Sequence, residues 1–246
     1  MCTVALAFQR YPGLPLLLAA NRDENLKRPA EGPAVRRERA PAILAPLDVQ
    51  AGGTWLGLSQ RGVLVAVTNR FGHPRDPARR SRGQVVLEAL AAANAHAAAQ
   101  AVAAIAPAAV NPFHLLIADS ARGFQVFHDG EAIRCSELGP GWHVLTERSL
   151  AGPPPLREAK VRAALAQHTS APAPEALHAL LRSHEDAPLD ATCVHVPELD
   201  YGTRSTTILY AATAVSPGRL FHGEGPPCQN ALVDRSALLA ELMSQA

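Results

Sequence analysis

The 246-residue chain has few aromatic residues, 4% in all with two tryptophans, and no excess of either charge: 23 Lys and Arg stand against 22 Asp and Glu, a formal net charge of +1. That balance argues against a nucleic-acid binder working by bulk electrostatics. No hydrophobic run is long enough to span a bilayer, and Phe8-Gln9-Arg10 interrupts the first apolar segment, so neither a transmembrane segment nor a leader is read and a cytoplasmic location is expected. The ten histidines include no H-E-x-x-H, and Cys2, Cys135, Cys193 and Cys228 form no C-x-x-C pair, which speaks against a zinc knuckle or a dithiol redox centre. Cys193 and His195 can share one strand face and together ligate a metal or haem iron. Without two further identifiable ligands they read as core residues, and neither a metal nor a cofactor is expected. A low-complexity linker is also missing, so residues 1–246 read as a single domain, and 48% hydrophobic against 18% charged residues suits a globular core.

What is present begins at the second residue. Removal of the initiator methionine would leave Cys2 carrying both a free α-amine and a thiol. An α-amine titrates at about 7.7–8.0 and a thiol at about 8.5, so the amine can take the thiol's proton and later return it to a leaving group. The nucleophile and its base then need no third residue to find each other. The plainer reading makes Cys2 the first residue of a buried strand.

Cys2, Val4, Leu6 and Phe8 alternate with small residues, Tyr11-Pro12-Gly13 turns the chain, and Leu14 to Ala20 is a second apolar strand. The resulting hairpin returns Asn21-Arg22-Asp23-Glu24 toward Cys2, with Asn21 and Asp23 on one face and Arg22 on the other. Residues 25–50 read as an irregular excursion. Trp55 to Ser59 and Gly62 to Thr68 form another hairpin, and a helix is expected from Ser81, its N-cap, to Ile105. Strands follow at Phe113–Ala118, Gly123–His128 and Trp142–Leu145, helices at Leu156–Leu165 and Glu175–Leu181, strands at Cys193–Val196 and Thr203–Ala212, and a closing helix at Asp234–Leu242. Segregated strands and helices point to an α+β class and not to a βαβ array.

Five motifs now stand in order: Met1-Cys2-Thr3, Asn21-Arg22-Asp23-Glu24, Gly52-Gly53-Thr54-Trp55-Leu56-Gly57, Val67-Thr68-Asn69-Arg70 and Tyr201-Gly202-Thr203-Arg204-Ser205-Thr206-Thr207. Together they resemble the NRDE family, also called the transport and Golgi organisation family. That family resembles the cysteine branch of the N-terminal nucleophile hydrolases, which contains penicillin V acylases and bile salt hydrolases. The resemblance implies a four-layer αββα sandwich with Cys2 as nucleophile, Asp23 as the aspartate after the second strand, Asn69 as an oxyanion-hole amide and Arg204 as the late arginine. Where that branch has an earlier arginine, this chain has Ala20.

Chemically, Asp23 can orient a Cys2 ammonium, the Asn69 amide can stabilise an oxyanion, and Arg204 can favour the thiolate. Asn21, Arg22, Trp55 and Arg70 are assigned to substrate binding. Trp55, behind paired glycines, can form a pocket wall. Arg70, Arg75, Arg79, Arg80 and Arg82 crowd the segment before Ser81; they read as a solvated loop balanced by Asp76, with a phosphate or carboxylate site as the alternative. The expected activity is cleavage of a non-peptide C–N bond in a small acylated molecule. Its rival is a non-catalytic carrier of a hydrophobic ligand, a lipid, an acyl-CoA or haem, on the same fold, since fold does not fix function.

Overall fold

Alternating apolar and small residues carry directly into β1 (Cys2–Tyr11), and Pro12-Gly13 returns the chain into β2 (Leu14–Asn25), with Cys2 opposite Arg22 and Thr3 opposite Asn21. The structure, a computed structural model, describes residues 2–38, 40–150, 154–185, 187–211 and 218–244. It divides into a first unit, Met1–Arg28 with Pro140–Ser236, and a second, Pro29–Gly139 with Ala237–Ala246.

The second unit holds β3 (Ala30–Arg36), β4 (Ile43–Asp48), β5 (Leu56–Ser59), β6 (Leu64–Asn69), α1 (Arg82–Leu90), α2 (Ala95–Ala103), β7 (Phe113–Ala118), β8 (Gly123–His128) and β9 (Ile133–Glu137). Its seven strands pair antiparallel in chain order, so every connection is local. Val86 and Leu90 of α1 and Ala98 and Val102 of α2 join Val65, Leu115, Ile117 and Val126 in one apolar core.

The first unit adds β10 (Gly141–Thr146), α3 (Leu156–Ala166), α4 (Pro174–Leu181), β11 (His195–Val196), β12 (Tyr201–Ala211), β13 (Arg219–Glu224) and β14 (Val233–Asp234) to the opening hairpin. The strand order is β10-β1-β2-β12-β13-β14, with β11 on β12. Ala5, Ala7, Leu17, Ala19 and Ile208 project from one face onto Val161 and Leu165 of α3 and Leu177 and Leu181 of α4. The small residues of β1 thus face the helices, and Cys2, Val4, Leu6 and Phe8 face the other way. A last helix, α5 (Ala237–Met243), packs on β3 and β4 of the second unit. Each unit contributes one antiparallel sheet and the helices packed on it, which is the α+β class expected.

Several expected elements need correcting, among them the closing helix, which runs from Ala237 to Met243 while Asp234 ends β14. Residues 25–50 contain β3 and β4; Pro33 sits where the β3 register shifts, between Glu31 and Ala34, and its missing N–H hides the strand pattern. The helix expected from Ser81 to Ile105 is two helices. Ser81 does cap α1 by accepting from Gly83 N at 3.2 Å, but Asn94 caps a new helix by accepting from Ala97 N at 2.9 Å. In the Cys193–Val196 segment only His195 and Val196 pair as strand, while the Thr203–Ala212 strand spans Tyr201–Ala211, Ala212 lying outside the described residues.

Candidate active site

Directly paired residues of an antiparallel ladder share a face, so the register of β1 with β2 sets the Arg22 side chain beside Cys2. Asp23 lies one step beyond that pair, at the end of β1 where the Cys2 backbone nitrogen is, and its side chain points to the helix face with Thr3 and Asn21. Cys2 is 8% exposed, and its thiol reaches the Asp23 carbonyl oxygen at 4.0 Å. The same carbonyl accepts from the Tyr201 hydroxyl at 2.9 Å. Burial pushes the Cys2 thiol above its ordinary value; the N-terminal amine opposes that shift most, and Arg22 opposes it in smaller measure.

Asp23 is fully buried and held on both oxygens. Thr203 donates its hydroxyl to Oδ1 at 2.6 Å, and Arg157 Nη1 stands 3.4 Å from Oδ2. The same Nη1 lies 3.6 Å from Glu147 Oε2 and 3.5 Å from Thr3 Oγ1, while Nη2 donates to the Leu189 carbonyl. Burial raises the Asp23 carboxyl to about 6, against the lowering effects of the N-terminal amine, Arg157 and the Thr203 hydroxyl. Asp23 and Glu147 therefore share one buried guanidinium, and Glu147 has a second cation in Arg148, whose Nε lies 3.7 Å from its Oε1.

Arg157 and Glu147 belong to none of the five motifs. Arg157 sits in the first turn of α3, where a cation opposes the helix dipole and only a strong partner justifies it. That misplaced positive charge, behind Pro155, was the available signal; its partners lie 134 and 10 residues away and carry no local pattern.

The other assigned residues are placed as follows. Asn21 is buried in the framework: its amide donates to the carbonyls of Leu181 and Thr192, both at 2.8 Å, and its oxygen accepts from Thr206 at 2.6 Å. Arg204 occupies the register break in β12 between Thr203 and Ser205 and donates to the carbonyls of Asn25 and Leu26. In the second unit, Asn69 ends β6 opposite Phe113, Arg70 lies over the Phe127 ring at 4.6 Å, and Trp55 packs half-buried against the core. The glycines before Trp55 serve packing: a Cβ on Gly53 would stand 2.6 Å from the carbonyl carbon of Gly83, so α1 begins backbone against backbone. Of the arginines near Ser81, Arg79 pairs with Asp76 at 3.3 Å, Arg80 grips Glu88 at 2.8 Å and Arg82 donates to the Pro112 carbonyl at 3.1 Å.

The family description Transport and Golgi organisation 2 matches residues 1–215. The chain belongs to this family. It is 40% identical over 93 residues to the mouse Transport and Golgi organization 2 homolog and 37% identical over 97 residues to the bovine one. These matches cover 35% and 37% of this chain and 33% and 35% of the relatives, so the chain spans about a third of the length of the curated relatives it matches. Among solved structures it is similar to a Caenorhabditis elegans N-acylethanolamine-hydrolyzing acid amidase ortholog, with TM-score 0.59, 13% identity, and 85% of this chain and 92% of that one covered. A conjugated bile acid hydrolase from Clostridium perfringens gives TM-score 0.58 at 13% identity, covering 100% of this chain and 95% of that one. At such identities the likeness shows the fold, that of the N-terminal nucleophile hydrolases. Among the described residues no helix is long and apolar enough to cross a membrane.

Proposed function

We propose that the protein is an amidohydrolase that uses Cys2, freed of Met1, to cleave the C–N bond of a small acylated amide. The observation that carries this reading is the buried Asp23 carboxyl, held by Thr203 and Arg157 one step beyond the Cys2–Arg22 pair. A buried carboxylate held in place beside the first residue of β1 fits a site that orients an ammonium. The two solved neighbours named above act, by their names, on an N-acylethanolamine and on conjugated bile acids, which supports an amide outside a peptide chain.

In the proposed reaction the Cys2 amine accepts the thiol proton and sulfur attacks the carbonyl carbon. Because burial raises the thiol, the thiolate forms only as the amine takes its proton, with Arg22 favouring the charged sulfur. Collapse of the tetrahedral species breaks the C–N bond, and the ammonium returns the proton to the departing amine. Water, deprotonated by the same amine, then attacks the thioester, releasing the carboxylic acid and the free thiol. Asp23 keeps the amine oriented throughout; Arg157 acts on Asp23 and is a positioning residue.

The test is intact mass of the native protein before and after exposure to a mixed set of acyl amides and acyl thioesters. The expected result is a chain beginning at Cys2 that gains one acyl group and loses it on standing, with the adduct absent in Cys2→Ala. Retention of Met1 in every preparation, or non-covalent ligand retention that survives Cys2→Ala with no adduct, would replace the hydrolase by a carrier.

A further inference from the structure

The Cys193 and His195 pair acquires two further donors in the folded chain. His184, Cys193, His195 and Cys228 offer two sulfurs and two imidazole nitrogens that all lie within 4.8 Å of one another. His195 Nε2 is 3.3 Å from Cys193 Sγ and 3.2 Å from Cys228 Sγ, and its ring stacks on that of His184 with centroids 5.1 Å apart. A ring nitrogen has either one lone pair or one proton, so a single linear hydrogen bond is all it can make, and two sulfurs at equal distance are more than it can serve. A tetrahedral ion bound at about 2.0–2.3 Å holds its donors about 3.3–3.8 Å apart, which is the spacing this quartet approaches.

We infer that His184, Cys193, His195 and Cys228 form a four-ligand site for zinc. Two thiolates with two imidazoles in a tetrahedral set select a soft-to-borderline ion such as Zn2+ over the oxygen-seeking Mg2+ or Ca2+. On binding, the two thiol protons pass to solvent and two sulfur–metal bonds and two nitrogen–metal bonds form; no electron is transferred. With all four positions filled by protein, none is left for a reacting water, so the ion is structural.

Its position tells what it fastens. Val194, between the two nearest ligands, donates its N–H to Thr203 Oγ1 at 2.8 Å, and that hydroxyl donates to Asp23 Oδ1. Its carbonyl accepts from Thr203 N at 2.9 Å, an approach permitted by Gly202, whose added Cβ would stand 2.9 Å from the Val194 oxygen. Thr192, just ahead of the ligands, accepts from the Asn21 amide. The zinc site thus pins a segment with almost no ladder of its own, only His195 and Val196 pairing with β12, against the residues that orient Asp23. Cys228 draws in the connection after β13. The ligands come from three stretches of chain separated by eight and thirty-two intervening residues, which explains why no local motif announces them.

The experiment uses the full chain, prepared without a metal-affinity tag, and reads metal directly, so it stands or falls separately from hydrolysis. Elemental analysis should find one equivalent of zinc, and Co2+ added to the reduced, metal-free chain should give intense visible bands and a near-ultraviolet thiolate-to-cobalt band, both erased by Zn2+. His184 is exposed, so His184→Ala should leave the circular dichroism intact while weakening zinc by about tenfold or more. Cys193→Ser with Cys228→Ser should remove the thiolate band, whereas Cys2→Ala and Cys135→Ser should keep the full equivalent. Failure of the reduced wild-type chain to take up either ion, or cobalt spectra unchanged in the Cys193→Ser, Cys228→Ser double variant, would overturn the site.

Discussion

The two units of this chain use the same materials, a seven-stranded antiparallel sheet with helices laid on it, and bury different chemistry inside. In the second unit the core is almost wholly aliphatic, and its buried polar groups are the hydroxyls, amide and imidazoles of Thr54, Ser59, Thr68, Asn111, His114 and His128. In the first, Thr3, Asn21, Asp23, Glu147, Arg157 and Thr203 are sealed between strands and helices, and among the described residues every buried carboxylate and guanidinium lies in this unit. Burying an ion costs several kcal/mol before its partners compensate. The first unit accepts that cost repeatedly around one residue at the start of a strand, whereas the meander of the second unit avoids it.

The comparison can be broken most sharply at Arg157. Arg157→Leu leaves Asp23 and Glu147 buried without their shared cation, and denaturant unfolding should show a loss of about 3–5 kcal/mol. Adding Glu147→Gln should recover part of it. A loss below about 1 kcal/mol would mean that the network is solvated and that the contrast between the units is only apparent.

Next in size is a pH effect. The Asp23 carboxyl is raised from 3.8 to about 6, so between those values the unfolded chain has lost the proton that the folded chain keeps. Stability from this group is complete below about pH 4 and declines as pH rises through 6, by about 3 kcal/mol in total. Asp23→Asn should remove that decline, so wild-type and variant denaturant midpoints measured from pH 4.5 to 7 should converge or cross, while parallel profiles would place the titration elsewhere. If Asp23 must be ionised to hold the amine, turnover should rise through the same interval.

The second unit should respond only to packing and backbone changes. Gly53→Ala forces a methyl group against the Gly83 backbone and should cost about 1–3 kcal/mol, with zinc content unchanged, because the first turn of α1 has to move away. The smallest effect belongs to the break between α1 and α2, where Asn94→Ala removes a cap and should lower stability by about 1 kcal/mol. A null result there would make the neighbouring Asp119, which accepts from Ala95 N at 2.8 Å, the group that starts α2.

What the sequence determined by itself was local and periodic. The period-two pattern of Cys2 to Phe8 and the turn at Pro12-Gly13 were enough for the hairpin, the cap at Ser81 for the start of α1, Pro174 for that of α4, and the order of five motifs for the family. Alternation also placed Asn21 and Asp23 on one face and Arg22 on the other. What it left open was register and convergence, because neither has a signature in neighbouring residues. Pairing Cys2 with Arg22 requires the whole β1–β2 ladder, and the partners of Arg157 are assembled from β1, β2, the turn after β10 and the stretch after α4. His184 and Cys228 join Cys193 and His195 only once α4, β12 and β13 have packed. Side chains distant along the chain meet because burying the apolar faces of Leu17, Ala19, Val161, Leu165 and Ile208 fixes where the strand ends and helix starts lie, and only the tertiary structure decides which polar groups are carried there with them.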